Sequence, residues 1–241
     1  MSLPSDKSTV AEIRTRFDND VERFSNLETG QTSTMDAAYC LDLVAQAARA
    51  STPTATSLLD IGCGAGNFSL KLLEVLPGME VTLIDLSQPM LARAAERLAG
   101  SSAAKVTPLQ GDIRELELPA AAFDVVVAAA VLHHLRSDDE WAAVFHKIFL
   151  AMKPGGWFWI FDLVDSSTPS IEGVMRSLYG DYLTGLKDAE YRDHVFAYIA
   201  KEDTPKPLMF QLHELLHAGF EPVEILHKHV SFAAFGGRKP A

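Results

Sequence analysis

The chain has 241 residues, of which 48% are hydrophobic, and this is enough to bury one sizeable core in a single α/β domain. Its 21 basic and 32 acidic residues give a formal net charge of −11, which disfavours nucleic acid and anionic membranes as partners. Two cysteines in separate segments predict neither a disulfide framework nor a metal site, and the lack of a long apolar run predicts a soluble, cytoplasmic protein.

The first predicted elements are N-terminal helices that would cover the main domain. Apolar residues recur at helical spacing at Val10, Ile13, Phe17, Val21 and Phe24. A second helix is predicted over residues 34–50, before the linker STPTATS. We therefore assign residues 1–56 to covering helices and residues 57–241 to the main domain.

Five short apolar runs then predict buried strands. They cover residues 57–63, 80–85, 105–111, 123–131 and 156–164. Helical patterns lie between them at residues 67–76, 88–99 and 137–152, the last with a predicted capping box from Ser137 to Glu140. Repeated β-α-β units predict a mostly parallel sheet with helices on both faces and a ligand site at the carboxyl ends of the strands.

A longer helical section follows the fifth strand, at residues 165–206. Because it is inserted at the ligand end of the sheet, it is predicted to form a helical cover over the substrate. A further helix is predicted to begin at Pro205, with Thr204 as its cap, and to end before Gly219. The tail alternates like a final pair of strands at residues 223–229 and 231–235.

The stretch LLDIGCGAGNFS, residues 58–69, carries glycines at 62, 64 and 66 where a strand should turn into a helix. Glycines let a ligand approach the backbone N–H groups of a helix N-terminus, which is typical of adenine nucleotide sites. A dinucleotide fingerprint, G-x-G-x-x-G, would need its third glycine at position 67, which is Asn67. The spacing therefore disfavours a nicotinamide or flavin dinucleotide.

Acidic residues end three successive predicted strands, at Asp60, Asp85 and Asp112. Asp85 stands 23 residues after Gly62, where a carboxylate can accept both hydroxyls of an adenosine ribose. Three carboxylates disfavour a pyrophosphate but suit a cationic cofactor that carries an amino group, a sulfonium and an adenine N6. The cofactor that this pattern favours is S-adenosylmethionine.

Five blocks in order carry a family resemblance over residues 58–164: LLDIGCGAG, LIDLSQPML, QGDIREL, FDVVVAAAVLHHL and MKPGGWFWI. In these blocks the sequence resembles the class I S-adenosylmethionine-dependent methyltransferases. The resemblance implies a Rossmann-like, mostly parallel seven-stranded sheet with helices on both faces and an antiparallel last strand. It also implies methyl transfer that leaves S-adenosylhomocysteine as the product.

The resemblance also assigns cofactor contacts to individual residues. Asp60, Gly62 and Gly64 would face the methionine moiety, and Asp85 would bind the ribose hydroxyls. Around the adenine ring the implied contacts are Leu86, Met90, Asp112 and Ile113, with Asp112 at the amino group. Ala129 would touch the cofactor through its backbone, and Cys63 is assigned a contact role only.

Catalysis by such an enzyme needs mainly an acceptor atom held about 3 to 3.5 Å from the methyl group for in-line displacement. A hydroxyl or protonated amine acceptor also needs a base, and His133 and His134 follow the fourth strand where one could reach the methyl group. Either histidine could instead pack or cap the turn. We expect a small-molecule acceptor, no nucleic acid, no membrane and a possible homodimer.

Two alternatives remain open at this stage. FDNDVERF near the N-terminus and LLHAGFEPVEILHKHVSFAAFGGRK near the C-terminus are similar to the carboxy-S-adenosylmethionine synthases that act in transfer-RNA wobble modification. Those enzymes hold the extra carboxylate with an arginine, and Phe196 stands at the aligned position. The other alternative is a noncatalytic protein that only binds S-adenosylmethionine.

Overall fold

Seven strands form one sheet in the computed structural model, which describes residues 7–26 and 32–241. The strands are β1 (Ser57–Ile61), β2 (Glu80–Asp85), β3 (Lys105–Gln110), β4 (Phe123–Ala129), β5 (Met152–Leu163), β6 (Val223–His229) and β7 (Phe232–Arg238). Their order is β3-β2-β1-β4-β5-β7-β6, and β7 runs antiparallel to both of its neighbours. The predicted seven-stranded, mostly parallel sheet is confirmed.

Nine α-helices flank the sheet within the described residues, and a short 3₁₀ helix (Leu132–His134) follows β4. The α-helices are α1 (Val10–Asn19), α2 (Val21–Ser25), α3 (Ala37–Ser51), α4 (Asn67–Val75), α5 (Gln88–Ala99), α6 (Asp138–Ala151), α7 (Pro169–Leu186), α8 (Ala189–Glu202) and α9 (Leu208–Ala218). The apolar stripe predicted over residues 10–24 is divided between α1 and α2 at Asp20. None of these helices is both long and apolar enough to cross a bilayer.

Two apolar cores lie on opposite faces of the sheet. Alternate residues of β4 supply them, with Val125 and Val127 in the core beneath α3, α4 and α5, and Val126 and Ala128 in the core beneath α6 and α9. Side chains alternate between faces along a strand, so a strand covered on both sides reads as a continuous apolar run. This explains why the central strands could be predicted from composition alone.

Strand β3 departs from the prediction of a buried strand. It lies at the edge of the sheet, and most of its residues are exposed. Pro108 within it has no N–H to donate, and an edge strand tolerates this because one side of its backbone has no partner. The proline was the available sign that this strand would be an edge.

Two predicted helix starts also differ. Helix α9 begins at Leu208 rather than at Pro205, because Asp165 pairs with Lys206 and Pro207 in an extended bridge that keeps this segment out of the helix. At α6, Ser137 Oγ accepts from Glu140 N as expected. The Glu140 carboxylate, however, accepts from the backbone N–H of Arg136, so the predicted reciprocal capping box is not formed.

Helices α7 and α8 form the helical section predicted after the fifth strand. Tyr179 Oη donates to Ser33 O at 2.7 Å and Tyr182 Oη donates to Thr32 O at 2.8 Å, so α7 is fastened to the turn that precedes α3. The end of α8 is fastened to the N-terminal segment, where Ser8 Oγ donates to Glu202 Oε1 at 2.8 Å. The division of the chain at residue 56 stays a prediction.

Candidate functional site

A cleft of about 760 Å³, counted with its open mouth, lies at the carboxyl ends of β1, β2 and β4. Strands β1 and β4 are neighbours at the point where the strand order reverses, which is where open α/β sheets bind their ligands. Its lining includes Phe17, Asp60, Gly64, Asp85, Met90 and His134. Helices α1 and α2 contribute Phe17 and Phe24, so the predicted covering helices do reach the cleft.

The three glycines of the turn have different physical roles. Gly62 has a φ of 67°, and a Cβ there would lie 2.4 Å from Val131 Cγ2. Gly66, with a φ of 82°, would place a Cβ 2.9 Å from Leu98 Cδ1. Gly64 has a φ of 50° but a Cβ there would meet nothing within 4 Å. Packing therefore requires Gly62, where Val131 Cβ would also lie within 2.6 Å of the added atom, and at Gly66 the left-handed backbone is the stronger reason for glycine. Gly64 leaves open space in the cleft wall.

Asp85 holds this turn in place. Its two carboxylate oxygens accept from Gly64 N at 2.8 Å and from Ser87 N at 2.9 Å. Burial raises the pKa of Asp85, while these backbone hydrogen bonds act in the opposite direction. A carboxylate oxygen has more than one lone pair, so the group retains capacity to accept from ligand hydroxyls.

Asp60 is fully buried behind the turn. Burial, with the nearby charge of Asp85, raises the pKa of Asp60 to about 7, although Ser69 Oγ donates to it at 2.6 Å. Two desolvated carboxyl groups in one cleft are costly as anions, and a bound cation would offset that cost. The free space beside Gly64 and the carboxyl groups of Asp60 and Asp85 therefore fit a positively charged nucleoside.

The predicted adenine contacts divide into two groups. Leu86 and Met90 line the cleft, but Asp112 and Ile113 are not among the described residues that line it. The guanidinium of Arg114 binds the Asp112 carboxylate at 2.9 Å through Nε. Burial would raise the pKa of Asp112, but Arg114 outweighs it and lowers this pKa. Ile113 is buried in the core beneath α6. The roles of both residues stay predictions.

Two further predicted contact residues lie in the cleft wall. Ala129 lines it at the end of β4, and Cys63 lines it within the glycine turn. Burial raises the pKa of the Cys63 thiol well above its usual value, with Asp60 and Asp85 acting in the same direction. A thiol that stays protonated is a poor nucleophile, so the geometry supports a contact role for Cys63.

The two adjacent histidines occupy different environments. His133 is buried outside the cleft lining, where Nδ1 pairs with the Asp162 carboxylate and Nε2 lies 3.6 Å from Asp203 Oδ1. Burial acts to lower the pKa of His133, but the two carboxylates outweigh it and raise this pKa to about 9. His133 is therefore a buried cation at neutral pH and is not available as a base.

His134 lines the cleft and is the neutral member of the pair. Burial and the charge of His133 hold the pKa of His134 well below its usual value. Its Nδ1 lies 3.4 Å from Glu202 O, a carbonyl that can accept only from an N–H. Nε2 is then an unprotonated nitrogen, and it is buried without a hydrogen-bond partner among the described residues. The structure therefore separates two histidines that the sequence could not distinguish.

Two residues that the sequence did not assign to the site, Asp203 and Asn67, also shape it. Asp203 lies 3.6 Å from His133 and 3.5 Å from His134 Nδ1, although it is about 70 residues away along the chain. Asn67, where a dinucleotide site would have glycine, donates to Phe24 O at 3.0 Å and accepts from Arg97 at 2.7 Å. The asparagine itself was the available signal, because its side chain fastens α2 over the cleft.

The charged state of His133 predicts a pH-dependent stability. The pKa of His133, about 9 in the folded protein, exceeds the ordinary histidine value of 6.5. Its contribution to stability is therefore fully present below pH 6.5 and is lost as the pH rises through 9. Between pH 7 and 8.5 the free energy of unfolding should fall by up to about 1.4 kcal/mol per pH unit. Urea unfolding at several pH values measures this slope.

The His133→Gln variant provides the control for that slope. It should lose most of this slope; a smaller slope remains near pH 7 from Asp60, whose pKa is about 7, whereas Asp203, whose pKa burial raises to about 6, titrates mainly below this range. Cys40, whose pKa burial raises to about 12, contributes only above it. An identical slope in both proteins would show that His133 is neutral in the folded state.

The sequence matches a family model described as a methyltransferase domain over residues 58–156. The "Putative methyltransferase YqeM" of Bacillus subtilis (strain 168) is 36% identical over 133 residues, which are 55% of this chain and 51% of that protein. A demethylmenaquinone methyltransferase of Listeria monocytogenes serotype 4a (strain HCC23) is 29% identical over 119 residues, which are 49% of this chain and 48% of that protein. The matches thus span about half the length of these relatives.

Two solved structures show the same fold over almost the whole chain. Human N-acetylserotonin methyltransferase, in complex with S-adenosylmethionine, has a TM-score of 0.64 at 17% identity. The superposition covers 98% of this chain and 64% of the human chain. The [4+2]-cyclase SpnF has a TM-score of 0.67 at 17% identity and covers 98% of both chains. The chain therefore shares the fold of these proteins, and residues 58–156, which include the glycine turn, are similar to the methyltransferase domain family.

Proposed function

We propose that this protein transfers the sulfonium methyl group of S-adenosylmethionine to a small-molecule acceptor by in-line displacement. The observation that carries the proposal is the juxtaposition of Gly64, Asp85 and His134 in one cleft. The open space at Gly64 and the two buried carboxyl groups suit a cationic nucleoside, and the neutral imidazole of His134 belongs to the same lining. One protein with this fold is named as a cyclase, so the fold alone does not indicate the reaction. The proposal therefore rests on the residues of the site.

The residues that would hold the cofactor follow from their places in the cleft. Asp60 and the Gly62–Gly64 turn would face the methionine moiety, Asp85 would accept from the ribose hydroxyls, and Leu86 with Met90 would flank the adenine. Ala129 would offer backbone contact. When bound, the cofactor supplies a methyl group already activated by a positively charged sulfur.

His134 is the residue we propose as general base for acceptors that must lose a proton. Its neutral Nε2 can accept that proton, and its Nδ1 lies 3.5 Å from the buried carboxylate of Asp203, which would stabilise the imidazolium. His133, held as a cation between Asp162 and Asp203, would position this arrangement rather than react. Removing a positioned base of this kind typically costs about 10²- to 10⁴-fold in rate.

A second cleft supports a small acceptor. It has a volume of about 360 Å³, counted with its open mouth, and lies where β5 ends beneath the α7–α8 cover. Its lining combines the aromatic rings of Tyr179 and Phe196 with the charged side chains of Asp165, Glu172 and Arg176. A mixed apolar and charged lining suits a small polar organic molecule, and the acidic net charge disfavours a nucleic acid as the acceptor.

The carboxy-S-adenosylmethionine synthase alternative has less support. Within residues 7–26 and 32–241, no arginine lines the main cleft. The guanidinium of Arg176 does stack 3.9 Å above the ring of Phe196, but both residues line the second cleft. We therefore keep that activity as an outcome of the experiment below.

Methyl transfer can be tested with S-adenosylmethionine that carries a deuterated methyl group and a panel of small molecules that bear hydroxyl, amine or activated carbon nucleophiles. Mass spectrometry should find the label in a small molecule and S-adenosylhomocysteine as the coproduct. Label that appears only in RNA or protein would overturn the acceptor class. A copurified nucleoside with an added carboxylate would overturn methyl transfer itself.

The His134→Gln variant tests the base. With a hydroxyl acceptor we expect kcat to fall by at least about 100-fold, because glutamine cannot take up the proton. Cofactor affinity, measured by calorimetry, should change much less. His146→Gln is the matched control, since His146 is exposed on α6. Unchanged kcat in His134→Gln would show that solvent or the acceptor itself carries the proton.

A further inference from the structure

A second cluster of metal-ligating side chains lies outside the main cleft, at Asp36, His227 and His229. His227 Nε2 and His229 Nδ1 lie 2.9 Å and 2.7 Å from the same oxygen, Asp36 Oδ2. The three potential ligand atoms all lie within 4.8 Å of one another. None of these residues lines either of the two clefts described above.

The fold brings these residues together from distant parts of the chain. His227 and His229 are two positions apart on β6, so their side chains project from the same face of this edge strand. Asp36 is the residue before α3, and α3 packs against β5 and β6. The arrangement is a His-x-His pair on a strand with a carboxylate facing it from a helix terminus.

The donor set and its spacing suit one class of metal ion. We propose that Asp36, His227 and His229 bind a divalent transition-metal ion such as Zn²⁺. A tetrahedral zinc site has ligand bonds of about 2.0 to 2.2 Å, so its donor atoms are separated by about 3.3 Å. The two nitrogen-to-oxygen distances need to widen by only about 0.5 Å to reach that geometry, and all three donor atoms lie within 4.8 Å of one another.

Exposure and chemistry favour the same conclusion. The side chains of His227, Asp36 and His229 are 23%, 34% and 50% exposed, so they can adjust and water can fill the fourth position. Two of the three donors are imidazole nitrogens, which suit zinc, copper or nickel, whereas Mg²⁺ and Ca²⁺ prefer oxygen ligands. If Asp36, His227 and His229 only formed hydrogen bonds with one another, the protein would show no preference for Zn²⁺ over Mg²⁺ at this site.

Metal binding at this site would stiffen the attachment of the helical cover. Asp36 follows directly on the turn whose Thr32 and Ser33 carbonyls accept from the α7 tyrosines Tyr182 and Tyr179. A metal that joins Asp36 to β6 would therefore fasten that turn, and with it α7, to the edge of the sheet. This consequence does not depend on the reaction at the main cleft.

The test uses the full chain without an affinity tag, treated with a chelator and then titrated with Co²⁺ or Zn²⁺. We expect one tightly bound ion per chain, visible absorption bands of tetrahedral Co²⁺, and a rise in Tm with Zn²⁺ but not with Mg²⁺. His229→Gln should weaken zinc binding by more than about tenfold, since even partners outside the coordination shell contribute roughly 10- to 100-fold.

Two further variants make the result decisive. Asp36→Asn removes the anionic ligand, and asparagine tolerates the left-handed backbone of this residue, whose φ is 59°. It should also lose the Zn²⁺-dependent rise in Tm. His217→Gln is the matched control, because His213 and His217 on α9 form another histidine pair, with ring centroids 6.5 Å apart. Failure of the parent to bind Zn²⁺, or equal binding by His229→Gln and Asp36→Asn, would overturn the proposal.

Discussion

Replacing Asp85 with alanine is expected to weaken S-adenosylmethionine binding by at least about 100-fold. The carboxylate would accept from two ribose hydroxyls, and hydrogen bonds to a charged group contribute roughly 1.5 to 3 kcal/mol each. Their combined loss exceeds about 2.8 kcal/mol, which corresponds to a factor of 100 in Kd. The Gly64 N–H, which Asp85 accepts at 2.8 Å, would also lose its partner. Isothermal titration calorimetry measures the effect.

Two control variants show whether the loss of affinity comes from the Asp85 carboxylate. Asp85→Asn keeps one acceptor oxygen without the charge, so its affinity should lie between those of the parent and the alanine variant. Glu80→Ala changes an exposed acid at the opposite end of β2 and should leave affinity unchanged. An Asp85→Ala protein that binds the nucleoside as tightly as the parent would contradict the proposed ribose contact and, with it, the cofactor site.

Adding a methyl group at Gly62 is expected to destabilise the protein. A Cβ at Gly62 would lie 2.4 Å from Val131 Cγ2 and 2.6 Å from Val131 Cβ, and the φ of 67° is already unfavourable for alanine. Overpacking typically costs about 1 to 3 kcal/mol and a left-handed backbone about 1 to 2 kcal/mol, so Gly62→Ala should lose about 2 to 5 kcal/mol. Urea unfolding of the cofactor-free protein measures this loss.

The matched change at Gly64 should affect binding more than folding. A Cβ there meets no atom within 4 Å, so only the backbone cost of about 1 to 2 kcal/mol applies to Gly64→Ala. The methyl group would project into the space proposed for the methionine moiety, and S-adenosylhomocysteine affinity should fall by at least about tenfold, or about 1.4 kcal/mol. If Gly64→Ala unfolds easily but binds normally, Gly64 is a packing glycine and the proposed contact is wrong.

Local patterns in the sequence determined the fold and the part of the site formed by the glycine turn, Asp60 and Asp85. Continuous apolar runs marked β1, β2, β4 and β5, because strands covered on both faces need apolar residues at every position. The glycine turn and the acids Asp60 and Asp85 are neighbours of strand ends, and strand ends meet at one edge of a parallel sheet. These features could be read without coordinates.

Only the tertiary structure decided how residues that are distant in sequence share their charges. Asp162 and Asp203 make His133 a cation, burial and that cation keep His134 neutral, and neither outcome is visible in the letters HHL. Arg114 takes the Asp112 carboxylate that the sequence assigned to adenine. Asp36 meets His227 and His229 across more than 190 positions, because α3 packs against the edge strand. The physical reason is that pKa values and ligand geometry depend on distances through space, whereas a sequence pattern records only distances along the chain.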